Sequence, residues 1–135
     1  MDNKCLIGLL IIILFASNIL ALGINSPYWK SNPLKMYPGQ SIEVDFTLAN
    51  SILEESSAKA FVTLTDSAGV AEIIGPKEFT VPPGSNYNKI TIKISIPENA
   101  NVGDTYEVKF SVKSVPEEAE GSVQLGIGIS LICLY

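Results

Sequence analysis

The sequence predicts an all-β sandwich of about seven strands. Two observations carry that expectation. Strand-sized runs alternate apolar and polar residues between turn signals, with no amphipathic helix between them. The stretch Ile96-Pro97-Glu98-Asn99-Ala100-Asn101-Val102-Gly103-Asp104-Thr105-Tyr106-Glu107-Val108 reads as a corner, where a chain leaves one sheet for the other.

Upstream of Pro97, residues Lys89 to Ile96 put Ile90, Ile92, Ile94 and Ile96 on one face, with Lys89, Thr91, Lys93 and Ser95 on the other. Downstream, Tyr106, Val108, Phe110 and Val112 share the inward face of a second strand. Pro97 has no N–H to donate and ends the first ladder. Gly103 tolerates the positive φ that a sharp re-entry needs. Tyr106 stands where sandwich folds place a corner tyrosine. There the ring covers the end of the core and the hydroxyl bonds to backbone a few residues upstream. The plainer alternative is an aromatic residue in a strand.

The chain begins with a short, weakly positive start, followed by an apolar run from Cys5 to Ala16 and by small residues at Ala21 and Gly23. Residues 1–23 therefore read as an N-terminal signal helix of the secretory type, cleaved after Ala21 or Gly23. The rival is an uncleaved anchor through residues 5–22, just long enough to span a bilayer but interrupted by Ser17-Asn18. The sandwich is expected to occupy residues 24–135 as one domain.

Residues 24–40 contain three prolines, which exclude a central strand and favour short extended pieces at a sheet edge. Pro38-Gly39 is a turn signal. Tyr28 and Trp29 are read as a lid over one end of the core, the alternative being a platform for a sugar or a partner. Ile42, Val44, Phe46 and Leu48 face inward on the next strand, and 50–57 is a polar loop. Further strands are expected over 58–65, 70–74, 77–81 and 123–133. The turns between them are Asp66-Ser67-Ala68-Gly69, Gly75-Pro76 and Pro82-Pro83-Gly84-Ser85. The last strand is expected to form a hairpin with the Thr105–Val112 run across the acidic loop at 114–121. The three glutamates of that loop read as a solvated surface, since calcium sites need oxygens converging from defined offsets.

Composition excludes several functions. The net charge is −5, with nine lysines, no arginine and no histidine. Nucleic acid and phosphate are poor partners for such a chain. The commonest general base and the commonest zinc ligand are absent together. Cleavage of the signal would leave Cys133 as a single thiol, unable to form an internal disulfide. It reads as a small buried hydrophobe, with a disulfide between two copies as the alternative. Glu43 and Asp45 share a face of one strand and Asp66, Glu72 and Asp104 are scattered, and outward charges on strands are usually solubilising. No catalytic residue, metal ligand or cofactor is expected.

With the Tyr37-Pro38-Gly39 turn, the Ile42–Leu48 strand and the Pro97…Ala100…Gly103…Tyr106 corner in view, the chain resembles the immunoglobulin-like modules of bacterial and archaeal surface proteins, including the domain associated with alpha-galactosidases. The start Asn25-Ser26-Pro27-Tyr28-Trp29 with Asn32-Pro33-Leu34 looks like that of small secretory proteins of archaea. The resemblance covers roughly residues 24–130 and rests on structural motifs. It implies a non-catalytic, secreted or cell-surface module for structure or protein interaction, whose partner is another surface protein or an envelope component. Relatives of that kind often continue into a C-terminal membrane helix, which this sequence does not show, so membrane attachment is expected only through an uncleaved N-terminal segment. The alternative is a glycan-binding module that uses Tyr28, Trp29, Tyr37 or Tyr87.

Overall fold

The computed structural model describes residues 22–50, 57–84, 88–116 and 123–134. In chain order the strands are β1 (Leu22–Asn25), β2 (Leu34–Met36), β3 (Ser41–Asn50), β4 (Ala58–Asp66) and β5 (Ala71–Ile74). After them come β6 (Glu78–Val81), β7 (Asn88–Ser95), β8 (Thr105–Pro116) and β9 (Val123–Cys133). No helix is found among the described residues. One sheet has the order β1-β3-β7-β5, the other β2-β9-β8-β4-β6. This is an immunoglobulin-like sandwich.

The core is the meeting of the two inward faces. Val44, Phe46 and Leu48 of β3 and Ile90, Ile92 and Ile94 of β7 come from the four-stranded sheet. Val62 of β4, Val108, Phe110 and Val112 of β8, and Ile129 and Leu131 of β9 come from the other. Full burial of each such side chain is worth about 1.5–3 kcal/mol. The period of two seen in the sequence is therefore the physical cause of the layering: one residue in two is apolar, and only one face of each sheet can be dry.

Outer faces carry the charges. Lys89 lies 3.8 Å from Asp45, Lys93 lies 3.9 Å from Glu72, and Lys109 lies 3.9 Å from Glu107. The Thr91 hydroxyl donates to Asp45 at 2.7 Å. These exposed pairs contribute little stability and chiefly keep the faces solvated.

Three details differ from expectation. The described residues form nine strands rather than about seven, because the proline-rich segment contributes β2 and the chain before it contributes β1. The sandwich is not wholly antiparallel, since β2 runs parallel to β9, with Leu34 beside Leu131 and Met36 beside Cys133. The cause is a crossing: β1 pairs with β3 in one sheet, and the chain then passes over the end of the core and enters the other sheet as β2. Finally, Leu22 and Gly23, assigned above to the signal segment, pair with Asn50 and Ala49 in β1. The expected signal helix itself lies outside the described residues, as do Tyr87 and most of the loops at 50–57 and 114–121.

Candidate interaction surface

The corner between β7 and β8 does carry the chain from the four-stranded to the five-stranded sheet. Its polar groups are met by backbone. Ala100 N–H donates to Pro97 O at 3.1 Å and Asp104 N–H to Asn101 O at 3.1 Å, while the Asp104 carboxylate accepts from Asn101 N–H at 2.8 Å. Gly103 adopts φ +90°, the left-handed region that favours glycine. Its N–H donates to Cys133 O at 2.9 Å, and Cys133 N–H returns a bond to Asp104 O at 2.8 Å. The corner is thus laced to the end of β9.

Tyr106 is half-buried and its ring packs against the core. Its hydroxyl has no hydrogen-bond partner among the described residues. The upstream backbone bond expected of it is therefore missing, because the corner's backbone groups already satisfy one another. Burial pushes the Tyr106 phenol above its usual range, with smaller upward contributions from the Asp104 carboxylate and Cys133.

The turn at Tyr37 packs against the same corner. Gln40 N–H donates to Tyr37 O at 3.0 Å and Gly39 has φ +76°, which is the type II turn that Pro38-Gly39 signals. Gly39 N–H reaches Ile96 O at 3.0 Å, and a side chain at Gly39 would run into Glu98 Cγ at 3.2 Å. Tyr37 is left 52% exposed at this end.

The lid expected of Tyr28 and Trp29 together is carried by Tyr28 alone. Tyr28 packs against the core, whereas Trp29 is 54% exposed. Neighbours in an extended segment point opposite ways, so only one of the two can face inward. Trp29 is presented by a tight turn: Trp29 and Asn32 exchange backbone bonds of 3.2 and 2.9 Å, and Asn32 Nδ2 donates to Pro27 O at 3.1 Å. Beside this turn, Lys30 and Pro33 flank a groove of about 520 Å³ over Thr105, Glu107, Ser130 and Ile132. The one close aromatic pair among the described residues, Phe46 with Phe110, lies in the core. Trp29 and Tyr37 therefore do not stack on one another.

One feature was not foreseen from the sequence. β2 covers β9 only from Leu131 to Cys133, so the remainder of that edge, back to Val123, has no neighbour among the described residues. Leu125 and Ile127 face inward there but are only half-buried. On the outer face Gly126 and Gly128 leave a bare trough. No group of three or more metal-ligating side chains occurs among the described residues.

No family model matches the sequence, and no curated protein is matched. The fold is similar to solved structures. The Escherichia coli chaperone DraB superposes with a TM-score of 0.58 at 11% identity, over 86% of this chain and 56% of that one. Against the chaperone, then, the chain spans little more than half the length. AggA, the major subunit of aggregative adherence fimbriae type I from Escherichia coli, gives 0.54 at 12% identity, over 86% and 96%. PapD-like domain 7 of human CEP192 gives 0.55 at 13% identity, over 84% of each chain. The architecture is that of immunoglobulin-like and PapD-like domains.

Proposed function

We propose that this chain is a non-catalytic protein-interaction module that is exported and works as a secreted or surface-held unit, and that it engages proteins by accepting a strand at the open edge of β9. The observation that carries the reading is that edge: uncharged, flanked by half-buried Leu125 and Ile127, and lacking a neighbour among the described residues. Strand addition supplies affinity through main-chain bonds and selectivity through alternate side-chain pockets. Two neighbours in fold are a chaperone and the major subunit of a fimbria, and their fold supports the reading of a protein-interaction module. Export is supported by the apolar run before Leu22. The resemblance to surface modules of the alpha-galactosidase-associated kind is compatible with all of this.

The test is a pull-down from intact envelopes with the chain as bait, followed by binding measurements with the captured protein. Gly126→Pro should weaken binding while Gly126→Ala leaves it intact. Equal capture by both variants would move the interface away from β9.

A second reading has its own observation. Trp29 is exposed beside a groove that offers Lys30, Thr105, Glu107 and Ser130, and an aromatic ring next to hydrogen-bonding groups suits a glycan. Trp29→Ala should then abolish retention on cell-wall polysaccharide without lowering the melting temperature. Unchanged retention removes this reading.

A further inference from the structure

We propose that the strand added to β9 is β9 of a second copy of this chain, antiparallel and centred on Gly126, so that the five-stranded sheets of two copies become continuous. This rests on the strand-addition reading of the edge and names its occupant.

The backbone shows which groups are on offer. Cys133 accepts from Gly103 and donates to Asp104, so its polar groups point to the β8 side. Leu134 N–H donates to Met36 O at 2.7 Å, on the opposite side. The register between β8 and β9 is unbroken from Ile132 back to Val123. Alternation along a strand therefore turns the N–H and C=O groups of Gln124, Gly126 and Gly128 toward the open side. Natural edges are usually blunted by lysine, proline, a bulge or a covering loop. From Val123 to Cys133 there is neither a charged residue nor a proline.

Charge selects the occupant. The chain carries a net −5. The edge strands β1 and β2 offer only four and three residues, and the open stretches of β3, β5 and β6 bear carboxylates: Glu43 and Asp45 on β3, Glu72 on β5, Glu78 on β6. Two copies meeting at any of those would bring like charges together. At β9 they would not. With Gly126 on the two-fold axis, Gly126 faces its own counterpart and Gln124 faces Gly128, all on the outer face. On the inner face Leu125 faces Ile127, so the half-buried apolar side chains of the two copies cover each other. The arrangement is isologous and closes at two copies. It also stops short of Leu131, where Leu34 occupies the edge.

The glycines supply the experiment. A Cβ added at Gly126 meets nothing within 4 Å, so Gly126→Ala keeps both the fold and the N–H. Gly126→Pro deletes only a group that points away from β8, which edge strands tolerate. The exported full chain is studied by sedimentation and by amide hydrogen exchange. The expected result is a dimer for wild type and Gly126→Ala, with the dissociation constant raised at least about tenfold in Gly126→Pro. Exchange should show protection of the Gln124, Gly126 and Gly128 amides that grows with protein concentration, while the Leu125 and Ile127 amides stay protected throughout. That second readout stands even if the proline variant fails to fold. A wild-type chain that remains monomeric at millimolar concentration overturns the proposal. The strand-addition reading then survives only if a foreign partner's binding is lost in Gly126→Pro. A dimer whose three even-numbered amides exchange freely lies elsewhere and also overturns it.

Discussion

Phe46 and Phe110 meet edge to face, with ring centroids 5.0 Å apart and planes inclined at 65°, and they come from opposite sheets. Both are essentially inaccessible to solvent. They are the largest fully buried side chains among the described residues, and the pair's geometry is one that the aromatic quadrupole favours. Phe110→Ala should destabilise the domain by about 3–5 kcal/mol. A double-mutant cycle with Phe46→Leu and Phe110→Leu should return a coupling of about 0.5–1.5 kcal/mol beyond lost burial. Additive losses in equilibrium denaturation would show that the rings act only as filler.

The turn from β4 to β5 holds the single non-glycine residue with positive φ among those described, Ala68 at +50°, followed by Gly69 at +72°. Val70 N–H closes the turn on Ser67 O at 2.9 Å, and Ala68 N–H is held by Asp66 Oδ1 at 2.8 Å. A left-handed alanine costs about 1–2 kcal/mol. Ala68→Gly relieves that strain, offset by about 0.5–1 kcal/mol of extra freedom in the unfolded chain. A net gain of up to about 1 kcal/mol is expected, and Ala68→Val should destabilise by more than the alanine strain alone. Thermal melts of the two variants that moved in the same direction would contradict this account of the turn.

How much of the fold could be read beforehand depends on what produces each feature. Ile90-Thr91-Ile92-Lys93-Ile94 announces its own buried face, because alternation is a local property of the chain. The turn at Tyr37-Pro38-Gly39 and the crossing at Pro97 and Gly103 are equally local, since each rests on one residue's allowed φ. β1 was hidden because Leu22 and Gly23 continue the composition of the apolar run before them. The exposures of Tyr28 and Trp29 were not legible: prolines on either side erase the register that would say which ring faces inward. The open edge of β9 was out of reach for a deeper reason. A strand's residues reveal which faces are apolar but not which neighbour will lie beside it, and β2 covers only a short part.

The placement of β1 sharpens an expectation about export. Cleavage after Gly23 would remove two of the four residues that pair with β3, whereas cleavage after Ala21 keeps them all. The mature chain is therefore expected to start at Leu22. N-terminal sequencing of the exported protein checks this. A start at Ile24 would mean that the first half of β1 is dispensable, and a retained Met1 would make the apolar run an anchor.

The last prediction concerns Tyr106. A corner tyrosine earns its name through its hydroxyl, and here the hydroxyl has no partner among the described residues while the ring packs against the core. Removing the oxygen should therefore leave stability at neutral pH unchanged. Tyr106→Phe and wild type are expected to share one denaturation midpoint at pH 7, and Tyr106→Ala to fall below both. Alkali separates the first two. The folded phenol ionises later than the unfolded one, chiefly because burial disfavours its charged form, with Asp104 and then Cys133 adding to the effect. Below an unfolded value of about 10, both states keep the proton and the group contributes nothing to the pH slope. As pH rises past that value the unfolded chain releases its proton first, and stability is lost until the folded phenol also ionises. Wild type should thus lose stability above about pH 10 faster than Tyr106→Phe, which has no proton there to release. Denaturation curves for the pair at pH 7 and across the alkaline range decide the matter. A phenylalanine variant already weaker at pH 7 would mean that the hydroxyl does hold the corner. Parallel alkaline slopes would mean that the phenol titrates as it does in the unfolded chain.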